Sequence, residues 1–389
     1  MKKAGITFII LFLFFLGKSN ISIKNKTNNA DWFLDSTTNK EVSLVKSPID
    51  SSKITDFFQK YPKLSQYKNQ TFNTYQNQNY NYIWYDGKGI KEIATILYNK
   101  INNIQDEGLS LDIPYKTLFE NQYSKKNNPK NIELELFLTS YYLLYAERVF
   151  HGIDSPISKK LGWYLPRNIP KYVSNIDSIL VSPSKVEIKH LLPQYYKLRE
   201  ALKHYRDLEK KGDCSQITLD SKFTSLKPGD TSQIIKKIRT RLFIEGDLMK
   251  DSKINKYDEE LKIGILNFKH RTGLKPELNI LANHIAIMNI PISERIKTIE
   301  INMERCRWIS NGLSSSREFI VINIPSYQLT FYKDKNPILV SNVVVGKVLN
   351  ETVIFSGMMS SIVFCPYWNV PSSILKKEIL PAIRRKSCL

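Results

Sequence analysis

Four cysteines and five histidines are the residues of this chain that could carry nucleophilic chemistry. A cysteine thiolate beside a histidine can attack a carbonyl carbon and form a covalent intermediate. The cysteines lie far apart, without a Cys-x-x-Cys spacing or a Cys/His cluster, so the sequence indicates neither a zinc site nor a dense disulfide framework. They are Cys214, Cys306, Cys365 and Cys388, and the histidines are His151, His190, His204, His270 and His284.

The positions of these residues argue against a local catalytic pair in the C-terminal part of the chain. No histidine follows His284, so any cysteine beyond it lacks an imidazole nearby in sequence. Cys306 and Cys365 stand in apolar patterns, and we predict buried, inert thiols at both. Cys388 lies next to the last residue and has no His-Gly neighbourhood. We therefore predict no catalytic residue among them, no metal and no cofactor.

The first 19 residues have the pattern of an export signal. Lys2 and Lys3 precede an apolar run, Ile6–Leu16, and the small residues Gly17 and Ser19 follow it. This run of eleven residues is shorter than the roughly 20 that span a bilayer, so we predict a signal peptide over residues 1–19 and export to the periplasm or cell envelope. An uncleaved anchor is the alternative, and this segment would be the chain's one contact with a membrane.

The net charge of +20 comes from 57 basic and 37 acidic residues. The lysines are scattered along the chain without a basic block or a known nucleic-acid module, which indicates a solvated surface. We therefore expect no nucleic-acid partner.

Helical patterns dominate the middle of the sequence. Residues 20–70 are polar and predict an N-terminal arm of limited order. Residues 71–222 predict a helical domain, with apolar side chains at helical spacing from Ile93 to Ile104 and from Leu134 to Tyr145. Gly152 and Pro156 are predicted to end the second of these helices.

A smaller unit over residues 223–290 predicts three short helices. Asp230 and Gln233 have the spacing of a capping box for the first helix. A connecting helix and linker follow over residues 291–316, with Ser293 as the predicted cap. Its apolar stripe consists of Ile296, Ile299, Met303 and Cys306.

The period of the apolar pattern changes to two at about Arg317, which predicts strands and a β-domain over residues 317–389. A hairpin turn is predicted from Asp334 to Pro337. The expected fold class is therefore an α+β multidomain protein, mainly helical, with a small three-helix module and an incomplete C-terminal β-domain.

The order of these units resembles the large exported murein L,D-transpeptidases, which have a scaffold domain, a peptidoglycan-binding-like module and a YkuD-type catalytic domain. The resemblance rests on IWYDGKGIKEIATILYNKINNIQDEGL for the scaffold, LKPGDTSQIIKKIRTRLFIEGD for the module and FIVINIPSYQLTFY with VFCPYWNVPSSILKKEILPAIRR for the catalytic domain. It implies cysteine acyl transfer between stem peptides of peptidoglycan, which would be the partner. It also places Tyr367, Trp368 and Asn369 at a wall of the catalytic domain, where a substrate groove is one interpretation and core packing the favoured one.

The family carries its nucleophile in a Ser-His-Gly-Cys-x-Arg type string, and this sequence has no such string. We therefore expect a chain that is truncated before the catalytic motif and inactive by itself. A frameshift or early stop just after Arg385 is the hypothesis, since Lys-Ser-Cys-Leu matches nothing in the family. The alternative is a non-catalytic protein that binds peptidoglycan as a scaffold of the cell envelope. The sequence leaves the oligomeric state open.

Overall fold

The computed structural model describes residues 6–11, 48–125, 130–167, 191–212, 215–309, 316–346 and 351–384. Helices dominate as far as residue 309, and strands follow. The α-helices are α1 (Ser51–Lys60), α2 (Lys68–Asn77), α3 (Glu92–Asn102), α4 (Lys116–Ser124), α5 (Ile132–Ala146), α6 (Ser155–Lys160), α7 (Pro193–Lys210), α8 (Gln233–Ile244), α9 (Glu259–Thr272), α10 (Ala282–Met288), α11 (Ile292–Arg307), α12 (Ser372–Ile374) and α13 (Leu380–Arg384).

Helix α5 is the centre of the first hydrophobic core. Its sequence is apolar around the whole helix, and 13 of its 15 residues are buried, as expected for a helix surrounded by other elements. The side chain of Asn131 caps its start by accepting from the backbone N–H of Glu133 at 2.9 Å. A π-helical turn over Glu147–His151 ends it at Gly152, whose φ is 70°. The predicted helix and its end at Gly152 are confirmed.

Residues 48–70 differ from the predicted arm of limited order, and residues 20–47 of that arm lie outside the described residues. Helix α1 and a 3₁₀ turn over Pro62–Tyr67 pack into the same core as α5. Phe57 is buried and meets the ring of Phe137 edge to face at 5.0 Å. Few apolar residues are enough to pack this segment into the core, because most of them are large aromatics on one side of the segment.

A second core lies between α7 and α11. The predicted stripe on α11 is confirmed, since Ile296, Ile299, Met303 and Cys306 are all buried. The predicted cap is wrong, because α11 starts at Ile292 behind Pro291 and Ser293 lies inside the first turn.

The three predicted helices of the small module are α8, α9 and α10, and they enclose a core of their own. Gly273 ends α9 in the left-handed conformation, with a φ of 74°. The predicted cap of α8 is wrong by two residues. Ser232 accepts from Ile234 N–H at 3.3 Å, whereas Asp230 accepts from Lys227 N–H at 2.7 Å and stabilises the preceding turn.

Short strand pairs join the helices, and one larger sheet follows them. The pairs are β2 (Tyr85–Asp86) with β3 (Gly89–Ile90) and β4 (Ser225–Leu226) with β5 (Ile280–Leu281). The sheet contains β1 (Ile6–Leu11), β6 (Glu318–Asn323), β7 (Gln328–Lys333), β8 (Asn336–Asn342) and β9 (Ser356–Met359), in the order β8-β7-β6-β1-β9.

The hairpin between β7 and β8 has the predicted turn. Asp334 and Lys335 have φ angles of 49° and 65°, the left-handed pair that a tight two-residue hairpin requires. In β6 and β7, Phe319 lies opposite Tyr332 with the rings stacked at 4.8 Å. Strand β1 belongs to the predicted signal peptide and lies parallel to β6 and antiparallel to β9. The role of this segment in export stays a prediction. Among the described residues, no helix has the length and apolar content needed to cross a membrane.

Candidate functional site

The predicted substrate residues lie on the surface of the C-terminal region. Tyr367 is 97% exposed and Trp368 is 70% exposed, and Asn369 is exposed as well. The favoured interpretation of core packing is therefore wrong. The reason is local: the three residues stand in an irregular segment before α12, and the helical turns from residue 372 to 384 bury none of their side chains. A substrate-binding role for the three residues stays a prediction.

The two described cysteines have opposite surroundings. Cys306 is fully buried in α11, and burial raises the pKa of its thiol to about 12. The inert thiol predicted at this position is confirmed. Cys365 is exposed with a φ of 50°, which contradicts the prediction of a buried strand residue. The strand β9 ends at Met359, so the apolar run that contains Cys365 continues as irregular chain. Cys214 and Cys388 lie outside the described residues.

The described histidines lie in the helical part of the chain, far in sequence from the segment around Cys365. His151 is partly buried and His204 is exposed on α7. Loss of contact with water lowers the pKa of each imidazole, helped by the positive charge of Arg167 or Arg271 respectively. His284 is buried in the small module, where its Nδ1 accepts from Leu281 N–H at 3.1 Å.

Burial, together with the charge of Lys269, lowers the pKa of His284. His270 is exposed on α9. None of the four histidines that the structure describes lies in the sheet region, and His190 lies outside the described residues.

A buried ionic cluster that the sequence did not reveal joins the first and second cores. Glu107 accepts from Tyr195 Oη at 2.6 Å and from Tyr145 Oη at 3.1 Å. Arg199 adds an ion pair to the same carboxylate at 3.3 Å. The side chain of Arg307 is fully buried beside them and donates from Nη2 to the carbonyl oxygen of Glu107 at 2.5 Å. The partners lie between 38 and 200 positions from Glu107 along the chain, so no local pattern indicates their meeting.

Glu304 extends this cluster to the end of α5. Its carboxylate accepts from Arg307 Nη1 at 2.8 Å, from Ile153 N–H at 2.7 Å and from Trp308 Nε1 at 2.8 Å. A Cβ built on Gly152 would come within 2.2 Å of Glu304 Oε1. The glycine is therefore required here for the close approach of α11 as well as for its positive φ.

A second cluster of charges fixes the small module on α7. Arg271 of α9 binds Asp247 by two hydrogen bonds, at 2.9 Å and 2.6 Å, and also pairs with Glu245. The same guanidinium donates to Tyr205 Oη on α7 at 2.9 Å. Arg295 of α11 lies 3.5 Å from Glu245. The module is thus attached to the connecting helix and to α7 by hydrogen-bonded charges.

Within the part of the chain that the structure describes, no group of three or more His, Cys, Asp or Glu side chains is arranged to hold a metal ion. No described cysteine has a histidine partner either. The described residues form a helical part with three hydrophobic cores, followed by a sheet and an irregular segment with exposed aromatic residues.

Comparison with known proteins gives a family match for each part of this architecture. A family described as Scaffold domain matches residues 69–202. A family described as L,D-transpeptidase catalytic domain, YkuD, matches residues 317–387. A Haemophilus influenzae protein named "Putative L,D-transpeptidase" is 32% identical over 100 residues, which is 25% of this chain. The matched stretch spans 20% of that relative, well under two thirds of its length.

Proposed function

We propose that this chain, whose residues 317–387 match the L,D-transpeptidase catalytic domain, works in peptidoglycan cross-linking as a wall-associated support that does not complete acyl transfer with its own residues. One observation supports the proposal that the chain does not complete acyl transfer by itself. The region that matches the catalytic family, residues 317–387, contains Cys365 and no histidine. Acyl transfer by a cysteine uses a base beside the thiol to take up and return the proton, and this stretch has no histidine for that role.

The reaction that the family performs needs three groups at one place. A thiolate attacks the carbonyl of the third residue of a donor tetrapeptide, and the terminal D-alanine leaves with a proton supplied by the base. An amine of a second stem peptide then takes the acyl group and restores the thiol. Backbone N–H groups stabilise the oxyanion of each step. In residues 317–387 the nucleophile has no such base, and the exposed position of Cys365 supplies no shielded oxyanion site.

Release of D-alanine tests this directly. The full chain is incubated with a disaccharide tetrapeptide, and mass spectrometry follows both free D-alanine and the mass of the intact protein. An active L,D-transpeptidase run in parallel is the positive control. We expect neither D-alanine nor an acyl adduct on the chain. An adduct on Cys365 or Cys388 would show that acyl transfer does not need the missing base.

Association with the wall is tested by retention on purified sacculi. Retention at moderate salt supports binding by shape and hydrogen bonds, whereas release at low salt leaves only the attraction of a chain with a charge of +20 for an anionic polymer. Export is tested separately by the N-terminus of the protein recovered from the cell envelope. Our proposal of a signal peptide over residues 1–19 requires a mature chain that begins at residue 20.

A further inference from the structure

An open groove with a volume of about 390 Å³ lies between α3 and α7, on the helical part of the molecule. This volume lies within the range of small-molecule and peptide sites, about 300 to 1,000 Å³. The groove is distant in sequence from residues 317–387, and neither the cysteines nor the histidines contribute to it.

The two walls are single faces of their helices. Asn99 and Lys100 of α3 lie on the same face as Ile96, because residues three and four apart share a face of an α-helix. Arg199 and Lys203 of α7, also four apart, form the opposite wall. The walls therefore present charged side chains above an aliphatic surface.

The floor of the groove is fixed before any ligand arrives. Glu107 lines it and is held by hydrogen bonds from Tyr145 and Tyr195 and by the ion pair with Arg199. Its carboxylate is thus fully engaged with protein donors. Binding at a preorganised floor avoids the entropy of ordering it.

The groove carries charges of both signs. Glu107 is paired with Arg199, whereas Asp106 is 68% exposed and lies 3.8 Å from Arg206, whose guanidinium is bonded to Glu300 at 2.8 Å. Lys203 makes no ion pair with a described residue, and Lys100 has only the ring of Tyr145, with the centroid 5.7 Å away.

Arg199 donates from Nη1 to Glu107, and none of its other N–H groups is bonded to a described residue. Among the acids of the lining, Glu200 alone has no basic partner in the described part of the chain. A ligand thus meets the cationic donors of Lys100, Lys203 and Arg199 and the accessible carboxylates of Glu200 and Asp106.

We propose that this groove binds a short peptide that carries two carboxylates and one amine. The carboxylates pair with Lys100, Lys203 and the free donors of Arg199, and the amine pairs with Glu200. Hydrogen bonds between charged groups are stronger than neutral ones and select for such a ligand. This inference rests on the proposed function, since stem peptides of peptidoglycan belong to this chemical class, and it assigns them a place on the helical support.

Fluorescence anisotropy with a labelled Ala-γ-D-Glu-Lys peptide tests the site on the full chain. The peptide has two free carboxylates and one side-chain amine, and its matched control has both carboxylates converted to amides. We expect saturable binding of the first peptide, and binding weaker by about tenfold for the second, because each lost ion pair weakens binding by up to about fivefold.

Variants of the chain locate the binding. Lys203→Glu reverses an exposed charge in the groove, and we expect binding weaker by about fivefold or more. Lys236→Glu makes the same change on the exposed surface of α8 and should leave binding unchanged. Far-ultraviolet circular dichroism verifies that both variants remain folded. Equal binding of the two peptides, an equal loss in both variants, or no saturable binding would each overturn the proposal.

The two proposals fail separately. A chain that releases D-alanine and still binds the peptide in a Lys203-dependent way would overturn the proposed function and leave the groove assigned. A chain that is inert and retained on sacculi, but does not bind the peptide, would support the proposed function and overturn the assignment of the groove.

Discussion

The helical part of the molecule and its C-terminal sheet region differ in how far their large apolar side chains are buried. Residues 48–309 supply nearly all side chains of the three hydrophobic cores, and the sheet region adds Ile324 and Ile354 to the second. In the sheet region all seven residues of β8 are exposed, and so are the large side chains of Phe364, Tyr367 and Trp368. The comparison teaches that most of the buried apolar surface of the described fold lies in the helical part, while the sheet region supplies accessible apolar surface.

The largest effect is expected from breaking the buried cluster that joins the first two cores. Arg307→Ala removes the donor to Glu304 and to the carbonyl oxygens of Val149 and Glu107. Removing one partner of a buried ion pair typically lowers the free energy of unfolding by about 3 to 5 kcal/mol, because the other charge is left without compensation. Urea unfolding followed by circular dichroism at 222 nm measures this loss in the helical part.

An ion pair of the sheet region provides the control. Arg317 lies 2.8 Å from Asp334, and both side chains are more than half exposed. Arg317→Ala should leave the free energy of unfolding in urea unchanged. A loss of similar size in both variants would contradict the view that the two regions differ.

A smaller effect is expected at a buried carboxylate within the first core. Glu135 accepts from Ile83 N–H at 2.5 Å, from Trp84 N–H at 3.2 Å and from Tyr75 Oη at 3.0 Å. Burial raises the pKa of this carboxyl to about 7, although these bonds and the charge of Lys91 act against the rise. The charged form is therefore disfavoured in the folded protein.

The pH dependence follows from the sign of that shift. Because the folded pKa is above the unfolded value of 4.5, the contribution of Glu135 to stability is fully present below pH 4.5 and is lost as the pH rises through about 7. A shift of this size corresponds to about 3 kcal/mol. Glu135→Gln cannot ionise, so the stability of the wild type relative to this variant should fall between pH 5 and pH 8. A constant difference across that range would refute the shift.

The sequence predicted the helices and strands well where one side of an element is buried. The stripe on α11 and the hairpin turn at Asp334 follow from local periodicity and from turn chemistry. The ionic clusters around Glu107 and Arg271 could not be predicted from the sequence, because the residues that meet there are distant along the chain. Cys365 and Trp368 were predicted to be buried because apolar residues usually are. Burial, however, requires a second element on that side, and the described chain places none there.

The smallest effect on stability, and the sharpest test of the comparison, is expected from the exposed aromatics. Trp368→Ser and Tyr367→Ser remove large side chains that contact solvent, so the free energy of unfolding should change by less than about 0.5 kcal/mol. The same variants should bind less of an apolar dye such as ANS, because such dyes bind exposed apolar surface. Tyr164→Ser, at a half-exposed tyrosine of the helical part, is the matched control and should leave dye binding as it is. If the Trp368 variant instead lowered stability by as much as a core substitution, the ring would have to be covered in solution, and the sheet region would then contribute a core of its own.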